Sequence, residues 1–325
     1  MRSGFVEPML LLPTGDLPEG DSWSYELKLD GYRAIAFKAD GRVQLRSRNN
    51  KDFNRKYPGV AAALAELPDE TVIDGEIVAL DESGRPSFNL LQNYGSSDSP
   101  IFYYVFDLLI LSGHDVMSEP LGKRRDLLRK HVLPKLKDPI RESLQLNAAL
   151  ADVINAVRTQ GLEGVVAKNL SSSYEPGRRS GAWRKMRINK GQEFVIGGYT
   201  PGPKTFDALI FGYYQDGKLL YAGRTRNGFT PILREQLHKL FPDLKSSECP
   251  FANLPEKRSG RWGLGLTADK MKDCRWLKPE LVGQFEYVEW TPDNHLRHSR
   301  FVALREDKKA GDVIREDKVS WLMVT

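Results

Sequence analysis

The chain has 325 residues, 40% of them hydrophobic and 28% charged, which is enough for two packed globular domains. No apolar run is long enough to cross a bilayer, so the sequence excludes a membrane-spanning helix. A formal net charge of +5 suits a polyanionic partner but does not prove one. The two cysteines have no metal-ligand spacing and no disulfide framework, so we expect a reducing, cytoplasmic compartment.

The first part of the chain is predicted to mix strands with helices. Strand patterns occur at 24–48, 71–80, 102–111, 161–169 and 182–188. Within the first of these, Asp40-Gly41 is the predicted hairpin turn, because alternating runs flank it on both sides. Apolar residues at helical spacing predict helices at 122–136 and 147–160, with a shorter one after Pro58-Gly59.

Beyond about residue 190 the pattern changes to short strands with glycine-marked turns. One helix is predicted among them, at 231–241. Short strands joined by glycine-marked turns are typical of a small β-barrel or sandwich. We therefore predict the α+β class, with antiparallel sheets and helices in a domain at 1–189 and a small β-barrel domain at 190–325.

The segment 24–33, SYELKLDGYR, alternates like a strand and carries a charge at every polar position. Glu26, Lys28 and Asp30 would share one face, while the apolar residues between them fix the register. One interpretation is a solvated sheet face with a cross-strand ion pair. The other is a nucleophilic lysine in a cleft, which needs further cations nearby to favour its uncharged form.

Two candidate cations occur in the strand pattern at 182–188, where Lys185 and Arg187 share a face. They either form a basic edge strand, which discourages pairing with other chains, or hold a phosphate chain and neutralise charge in a transition state. This segment alone does not decide between the two roles.

Other polar and aromatic side chains interrupt apolar strands. Glu76 shares a face with Asp74, and Glu163 stands at the start of a buried strand. A carboxylate there is usually a strand terminus, but it is also where Mg²⁺ would be held beside a substrate phosphate. Phe106 is either a core residue or a ring on which a nucleobase stacks.

Seven motifs follow one another along the chain: KLDGYR, LRSR, IDGEIV, VFDLL, LEGVVAK, WRKMR and FVALREDK. In this order they resemble the covalent nucleotidyltransferase superfamily, and within it the ATP-dependent DNA ligases. FVIGGYTPG and LRHSRFVALREDK make the chain most similar to the ligase part of the bacterial end-joining ligases. The resemblance implies a nucleotidyltransferase (adenylation) domain at 1–189 and an OB-fold domain at 190–325.

The resemblance implies that Lys28 attacks the α-phosphate of ATP and carries AMP as a phosphoramidate, while pyrophosphate leaves. AMP would then pass to the 5′-phosphate of a nick, and the adjacent 3′-OH would displace it to seal the strand. Such transfers depend on positioning and charge neutralisation more than on acid–base catalysis. The implied cofactors are ATP and Mg²⁺ or Mn²⁺, and the implied partner is nicked duplex DNA.

The resemblance also implies roles for the motif residues. The nucleotide would be contacted by Glu26 at the adenine amino edge, Phe106 at the adenine face, Arg33 and Glu76 at the ribose, and Lys185 and Arg187 at the α-phosphate. Arg187 stands where lysine is more usual. The other implied roles are nick chemistry for Asp30, a place near the 5′-phosphate or adenylate for Arg48, metal binding for Glu163 with Glu76, and pyrophosphate orientation for Arg305 and Asp307.

Two alternatives stay open at this point. An RNA ligase or a capping guanylyltransferase would share the lysine chemistry, and a non-catalytic OB-fold nucleic-acid-binding protein would share only the fold. For the preferred interpretation we expect a monomer in the bacterial cytosol or nucleoid, with DNA end-binding or repair proteins as further partners. Nick binding should weaken steeply with salt, because it would depend mostly on phosphate contacts.

Overall fold

A computed structural model describes residues 4–92, 94, 99–188, 191–258, 260 and 263–316. These residues form two compact units, 4–188 and 191–316. The predicted domain boundary at Asn189 and Lys190 lies outside the described residues. In the described part of the chain, no helix has the length and apolar character that a membrane span requires.

Within its described residues, the first unit mixes ten strands with short helices. Its strands are β1 (Leu12–Pro13), β2 (Trp23–Leu27), β3 (Tyr32–Ala39), β4 (Arg42–Ser47), β5 (Thr71–Ala79), β6 (Ile101–Leu111), β7 (His114–Asp115), β8 (Ile140–Glu142), β9 (Gly164–Asn169) and β10 (Trp183–Arg187). Its helices are α1 (Pro58–Ala63), α2 (Phe88–Gln92), α3 (Leu121–Leu127) and α4 (Leu150–Thr159), with 3₁₀ turns at Leu64–Glu66 and Leu133–Lys135 and a π turn at Leu128–Val132.

Two sheets organise this unit. The first sheet has the strand order β1-β10-β9-β2, and the second has the order β4-β3-β5-β6-β7 with β8 parallel to β6. Ile35 and Phe106 of the second sheet share a hydrophobic cluster with Trp183 of the first. The other face of the first sheet packs on α4, where Val153 and Val157 are buried. One face of the first sheet is therefore turned toward the second sheet.

The predicted strand through Asp30 is wrong in its second half. β2 ends at Leu27, and the chain crosses from the first sheet to the second before β3 begins at Tyr32. In this crossing Gly31 packs on β5, where an added Cβ would lie 2.2 Å from the carbonyl oxygen of Ile77. Only glycine fits such a close approach, so this Asp-Gly pair makes a turn between sheets rather than a hairpin.

The hairpin predicted at Asp40-Gly41 is confirmed. β3 and β4 pair as far as Ala39 and Arg42, and the two loop residues have φ of +50° and +69°. Two positive φ values in a two-residue loop are typical of a type I′ turn, whose twist matches that of the flanking strands.

The helix predicted at 122–136 is shorter than expected. α3 ends at Leu127, and the chain continues through the π turn and the 3₁₀ turn. Pro134 lies in the 3₁₀ turn. It has no N–H, and its ring clashes with the carbonyl four residues earlier, so a regular α-helix cannot continue through it.

The second unit is built mainly from antiparallel strands. They are β11 (Gly191–Pro201), β12 (Phe206–Gln215), β13 (Lys218–Thr225), β14 (Lys245–Ser246), β15 (Arg275–Glu286), β16 (Glu289–Trp290), β17 (Leu296–Arg297) and β18 (Arg300–Leu304). The helices are α5 (Pro231–His238) and α6 (Ala268–Met271), with 3₁₀ turns at Pro242–Leu244 and Ala310–Asp312.

The main sheet of the second unit has the order β13-β12-β11-β15-β14, with β18 also paired to β15. Register shifts in β11, β12 and β15 bend the strands, and aromatic side chains such as Phe194, Phe211 and Phe285 fill the core. The predicted α+β class is confirmed. Among the described strands the pairings do not close into a ring, so the barrel expected here is an open one.

Candidate active site

Rows of side chains cross the face of the first sheet that is turned toward the second. Residues paired directly across antiparallel strands point to the same side of a sheet. The register places Ser24, Lys168 and Trp183 in one row and Glu26, Val166 and Lys185 in the next. The backbone N–H of Lys28 donates to the carbonyl of Gly164 at 2.9 Å, which extends the pairing one residue beyond β2. Residues far apart in the sequence thereby meet on one face.

Lys28 lies at the end of this face, where its side chain meets those of Glu163 and Arg187. Its Nζ is 2.5 Å from Oε1 of Glu163, and Nη1 of Arg187 is 3.2 Å from the same oxygen. The side chains of Lys28 and Glu163 keep exposures of 13% and 10%, so solvent reaches the cluster. The carboxylate of Glu163 holds the amine in place, and the guanidinium of Arg187 is a group that binds phosphate well.

Glu26 is the centre of a buried network one row away. Arg125 Nη2 donates to its Oε1 in a very short contact, and Lys168 Nζ and Ser143 Oγ donate to its Oε2 at 3.0 Å and 3.2 Å. Burial alone would raise the pKa of Glu26, but the charges of Lys168 and Arg125 outweigh burial and lower it. Glu26 is therefore an ionised carboxylate, which can only accept hydrogen bonds.

Lys168 is a second lysine on the same face, with different surroundings. It is 3% exposed, and burial lowers its pKa to about 8 against the opposing pull of Glu26. Its Nζ lies 3.8 Å from the ring centroid of Phe106 and 4.5 Å from that of Trp183. A lysine fixed by a carboxylate and two rings is held in place, whereas Lys28 lies at the accessible end of the face.

Arg33 and Phe106 bring the second sheet into the site. Nε and Nη2 of Arg33 each lie 2.6 Å from a carboxylate oxygen of Asp74, which also accepts a hydrogen bond from Tyr174 at 2.6 Å. The Arg33 guanidinium lies 4.6 Å from the centroid of Phe106. The ring of Phe106 therefore contacts cations from both sheets, and it belongs to the hydrophobic core as well as to the site wall.

Glu76 and Arg48 are held beside Arg33 on the second sheet. Glu76 pairs across the strands with Arg33, and its side chain packs beside Gly31 in the crossing that follows Lys28. The backbone N–H of Arg48, just after β4, donates to the carbonyl of Arg33 at 3.1 Å. Both predicted residues thus approach the crossing from the second sheet.

Asp30 and Lys185 complete the set predicted in this unit. Asp30 lies in the crossing between β2 and β3, because β2 ends before it. Lys185 lies on β10, partly exposed, in the row of Glu26 and two residues from Arg187. The structure thus places both on the segments that frame Lys28.

Arg305 and Asp307 are in the second unit and are almost fully buried there. Nε and Nη2 of Arg305 each donate to a different oxygen of Asp307 at 2.9 Å, and Nη1 donates to Gln284 at 3.0 Å. Burial opposes ionisation of Asp307, but Arg305 outweighs it and lowers the pKa of that carboxyl. The two residues predicted to act on pyrophosphate bind each other in this structure.

The donor set near Lys28 fits a magnesium ion that is held partly by its substrate. Among the described residues there is no group of three or more His, Cys, Asp or Glu side chains that could hold a metal by themselves. Mg²⁺ commonly uses one or two carboxylates together with substrate phosphates and water. Glu163 provides one such carboxylate beside Lys28, on a side chain that is 10% exposed.

The second unit also has a concave surface rich in cations, lined by Arg224, Arg226, Lys270 and Arg275 together with Asp207 and Asp273. Arg226 is ion-paired with Asp207 at 2.7 Å. Within the part of the chain that the structure describes, the side chain of Arg224 makes neither an ion pair nor a hydrogen bond, while its backbone pairs with β12. Clustered arginines and lysines on a concave surface suit a phosphate backbone.

Two of the network residues, Arg125 and Lys168, were not singled out from the sequence, although a signal existed for the first. Leu121, Arg124, Arg125 and Leu128 follow the spacing of a buried helix stripe, so both arginines occupy inward positions. A charged residue at such a position requires a buried partner. For Lys168 the pattern of a strand buried on both faces gave no sign of which side its ammonium would occupy.

Comparison with known proteins places this arrangement in a class. Residues 14–187 match the family described as "ATP dependent DNA ligase domain", and residues 202–308 match the "ATP dependent DNA ligase C terminal region". The chain belongs to the ATP-dependent DNA ligases. The fold class and the family predicted from the seven motifs are thereby confirmed.

Individual relatives are consistent with this family. The chain is 36% identical over 303 residues to the multifunctional non-homologous end joining DNA repair protein LigD of Mycobacterium tuberculosis, covering 92% of this chain and 38% of the relative. It is 34% identical to LigD of Pseudomonas aeruginosa, covering 96% and 37%. A solved structure of mycobacterial DNA ligase D complexed with ATP and MES matches with 34% identity and a TM-score of 0.66, over 95% of this chain and 98% of that one. The chain thus spans well under half the length of these two curated relatives.

Proposed function

We propose that this protein seals nicks between a 3′-OH and a 5′-phosphate in duplex DNA, through a Lys28-AMP intermediate and a DNA-adenylate. The observation that carries the proposal is the contact of Lys28 Nζ with Glu163, whose same oxygen also binds Arg187. These residues come from three separate segments, and their meeting at the accessible end of one sheet face requires β2, β9 and β10 to pair in register. Because the chain belongs to the ATP-dependent DNA ligases, we interpret this cluster as the site where the lysine is adenylated.

In the first step Lys28 attacks the α-phosphorus of ATP. A bond forms between Nζ and phosphorus, the bond from phosphorus to the bridging oxygen breaks, and pyrophosphate leaves with that electron pair. Glu163, in hydrogen-bond contact with Nζ, is placed to take the proton that the amine loses. Arg187 and Lys185 neutralise charge on the phosphate oxygens as it develops. AMP then moves to the nick 5′-phosphate, and the 3′-OH displaces it.

The remaining motif residues bind and orient the substrates. The nucleotide is contacted by Glu26 at the adenine amino group, Phe106 at the base face, and Arg33 and Glu76 at the ribose. Asp30 and Arg48 act in the steps at the nick, and Arg305 and Asp307 act on pyrophosphate during self-adenylation. Support for these roles comes from the motif matches, and for the first-unit residues from their position on the two facing sheets or on the segments that directly follow their strands.

Glu163, with Glu76, would hold Mg²⁺ or Mn²⁺, which supplies further charge neutralisation at the phosphates when bound. The carboxylate donors fit a hard cation of this kind. Since Lys28 and Arg187 both contact Glu163, these two side chains would shift within the cluster when a metal binds there.

Nicked duplex DNA is the proposed macromolecular substrate, and the cation-lined concavity of the second unit is a proposed contact for its phosphates. We further propose a monomer in the bacterial cytosol or nucleoid that acts with DNA end-binding or repair proteins. The relatives named for non-homologous end joining support this context.

The test is incubation of purified protein with labelled ATP or GTP and Mg²⁺, followed by a denaturing gel. We expect a covalent adenylate from ATP, and its transfer to nicked DNA with sealing in a chase without free ATP. Absence of any covalent nucleotide would overturn the proposal. Preference for GTP, or for a nick in RNA, would assign the chain to a different nucleotidyltransferase.

A further inference from the structure

Arg124 and Arg125 are neighbours on α3 and are both buried, with exposures of 0% and 4%. Successive helical residues point about 100° apart, so the two guanidiniums enter different surroundings. Arg124 donates to both oxygens of Asp107 at 2.8 Å and 2.7 Å, and to the carbonyls of Glu119 and Ser172. This arginine ties α3 to β6 and to the loop after β9, and it makes no contact with Glu26.

Arg125 binds the candidate base site instead. Its Nη2 donates to Glu26, its Nη1 donates to Ser24 Oγ at 3.1 Å, and its Nε donates to the carbonyl of Phe106 at 3.3 Å. Ser24 and Glu26 belong to β2 of the first sheet, whereas Phe106 belongs to β6 of the second. A single rigid guanidinium therefore connects the two walls between which a base would lie.

We propose that Arg125 is the positioning residue for base recognition, which holds Glu26 and Phe106 in register so that the site accepts a purine with a 6-amino group and rejects a 6-oxo purine. This inference rests on the proposed base contact of Glu26. A carboxylate fixed by two cations accepts a hydrogen bond from an amino group but repels a carbonyl oxygen. The specificity of the site thus depends on a residue that does not itself touch the nucleotide.

Because the role of Arg125 depends on the charge of Glu26, it predicts that selection between ATP and GTP varies with pH. The groups that face the carboxylate are Arg125 from α3, Lys168 from β9 and the Ser143 hydroxyl, while Arg33 acts on Lys168. Without Arg125, Lys168 is the cation left beside the buried carboxyl among the described residues, so the protonated form of Glu26 becomes accessible as pH falls. A protonated Glu26 can donate to a 6-oxo group, and selection for ATP over GTP would then decline toward acid.

The experiment compares Arg125→Gln with the matched control Arg124→Gln in the full chain. Rates of covalent adenylation and guanylation are measured against nucleotide concentration at several values between about pH 6 and pH 8. For Arg125→Gln we expect a KM for ATP raised about tenfold and an ATP/GTP ratio lowered about tenfold, with the loss greatest at low pH. For Arg124→Gln we expect lower thermal stability with the wild-type ATP/GTP ratio at every pH.

Two milder variants keep the test decisive if Arg125→Gln folds poorly. Arg125→Lys should restore much of the wild-type ATP/GTP ratio, because it returns a cation to Glu26. Ser143→Ala should shift the ratio in the same direction by a smaller factor, since it removes one neutral donor from the carboxylate. An unchanged ratio in folded Arg125→Gln or Ser143→Ala, or an equal shift in Arg124→Gln, would overturn the inference. Failure of the wild type to form any covalent nucleotide would instead overturn the proposed function.

Discussion

The two units of this protein arrange their charged motif residues in different ways. In the first unit Lys28 and Arg187 share one oxygen of Glu163, so two cations meet a single carboxylate. In the second unit Arg305 and Asp307 bind each other through two parallel hydrogen bonds. A fork-to-carboxylate pair is satisfied by itself, whereas two cations on one carboxylate still attract a phosphate. From this difference we predict that the Lys28 cluster can receive a phosphate directly, whereas the Arg305–Asp307 pair would have to open before either residue could act on pyrophosphate.

We expect the largest effect from a substitution of Lys28, in its cluster with Glu163 and Arg187. Lys28→Arg keeps the positive charge beside Glu163 but removes the amine, and a guanidinium stays protonated at any working pH. We expect no covalent adenylate on a denaturing gel and a thermal stability close to that of the wild type. An adenylate formed by this variant at a substantial rate would show that the nucleophile lies elsewhere.

Arg187→Ala should give the next largest effect, because it removes a cation that contacts Glu163 beside Lys28. We expect adenylation to slow by about 10²–10³, the usual cost of losing a charge-stabilising donor in an active site. Arg187→Lys keeps the charge without the fork geometry, and it should retain more of the rate in single-turnover assays. Equal rates for Arg187→Ala and wild type would mean that the cluster around Glu163 is structural and takes no part in adenylation.

The variant Asp307→Asn tests how much the buried ion pair of Arg305 and Asp307 stabilises the protein. Leaving Arg305 buried without its carboxylate should lower the free energy of unfolding by about 3 kcal/mol at neutral pH, measured by denaturant titration. Because the pKa of Asp307 is lowered in the folded state, its contribution is present above about pH 4 and disappears as pH falls through the folded pKa. The difference in free energy of unfolding between wild type and variant should therefore become smaller at acidic pH. A gap that is constant with pH would contradict the ionised pair.

The smallest effect concerns the concave surface of the second unit. Arg224→Gln and Arg275→Gln should each reduce the salt slope of nicked-DNA binding by about one, since each removes one phosphate contact. Lys239→Gln is the control, because this exposed lysine does not line the concavity. Equal slopes for all three variants and the wild type would remove this surface from the DNA contact.

Much of this arrangement was predictable from the sequence. Period-two alternation indicated β5 and β6, and Asp40-Gly41 gave the hairpin because a type I′ turn needs only local backbone geometry. The motif order selected Lys28, Glu163 and Arg187, and the structure brings their side chains to one oxygen. Local patterns worked where local physics determines the structure.

The parts that could not be predicted depend on tertiary packing. The end of β2 at Leu27 is set by the close approach of Gly31 to β5, which no local pattern contains. The different partners of Arg124 and Arg125 depend on where two sheets meet a helix. Likewise, alternation alone could not show that Arg305 and Asp307 would satisfy each other in the second unit.

The most direct test of the account is to map the covalent nucleotide by peptide mass spectrometry after incubation with ATP and Mg²⁺. Lys168 is the alternative nucleophile within the chain, because it lies on the same sheet face and burial lowers its pKa to about 8. We predict AMP on the peptide that contains Lys28, and none on either peptide in Lys28→Ala. Adenylate on Lys168, or a modified peptide that persists in Lys28→Ala, would contradict it.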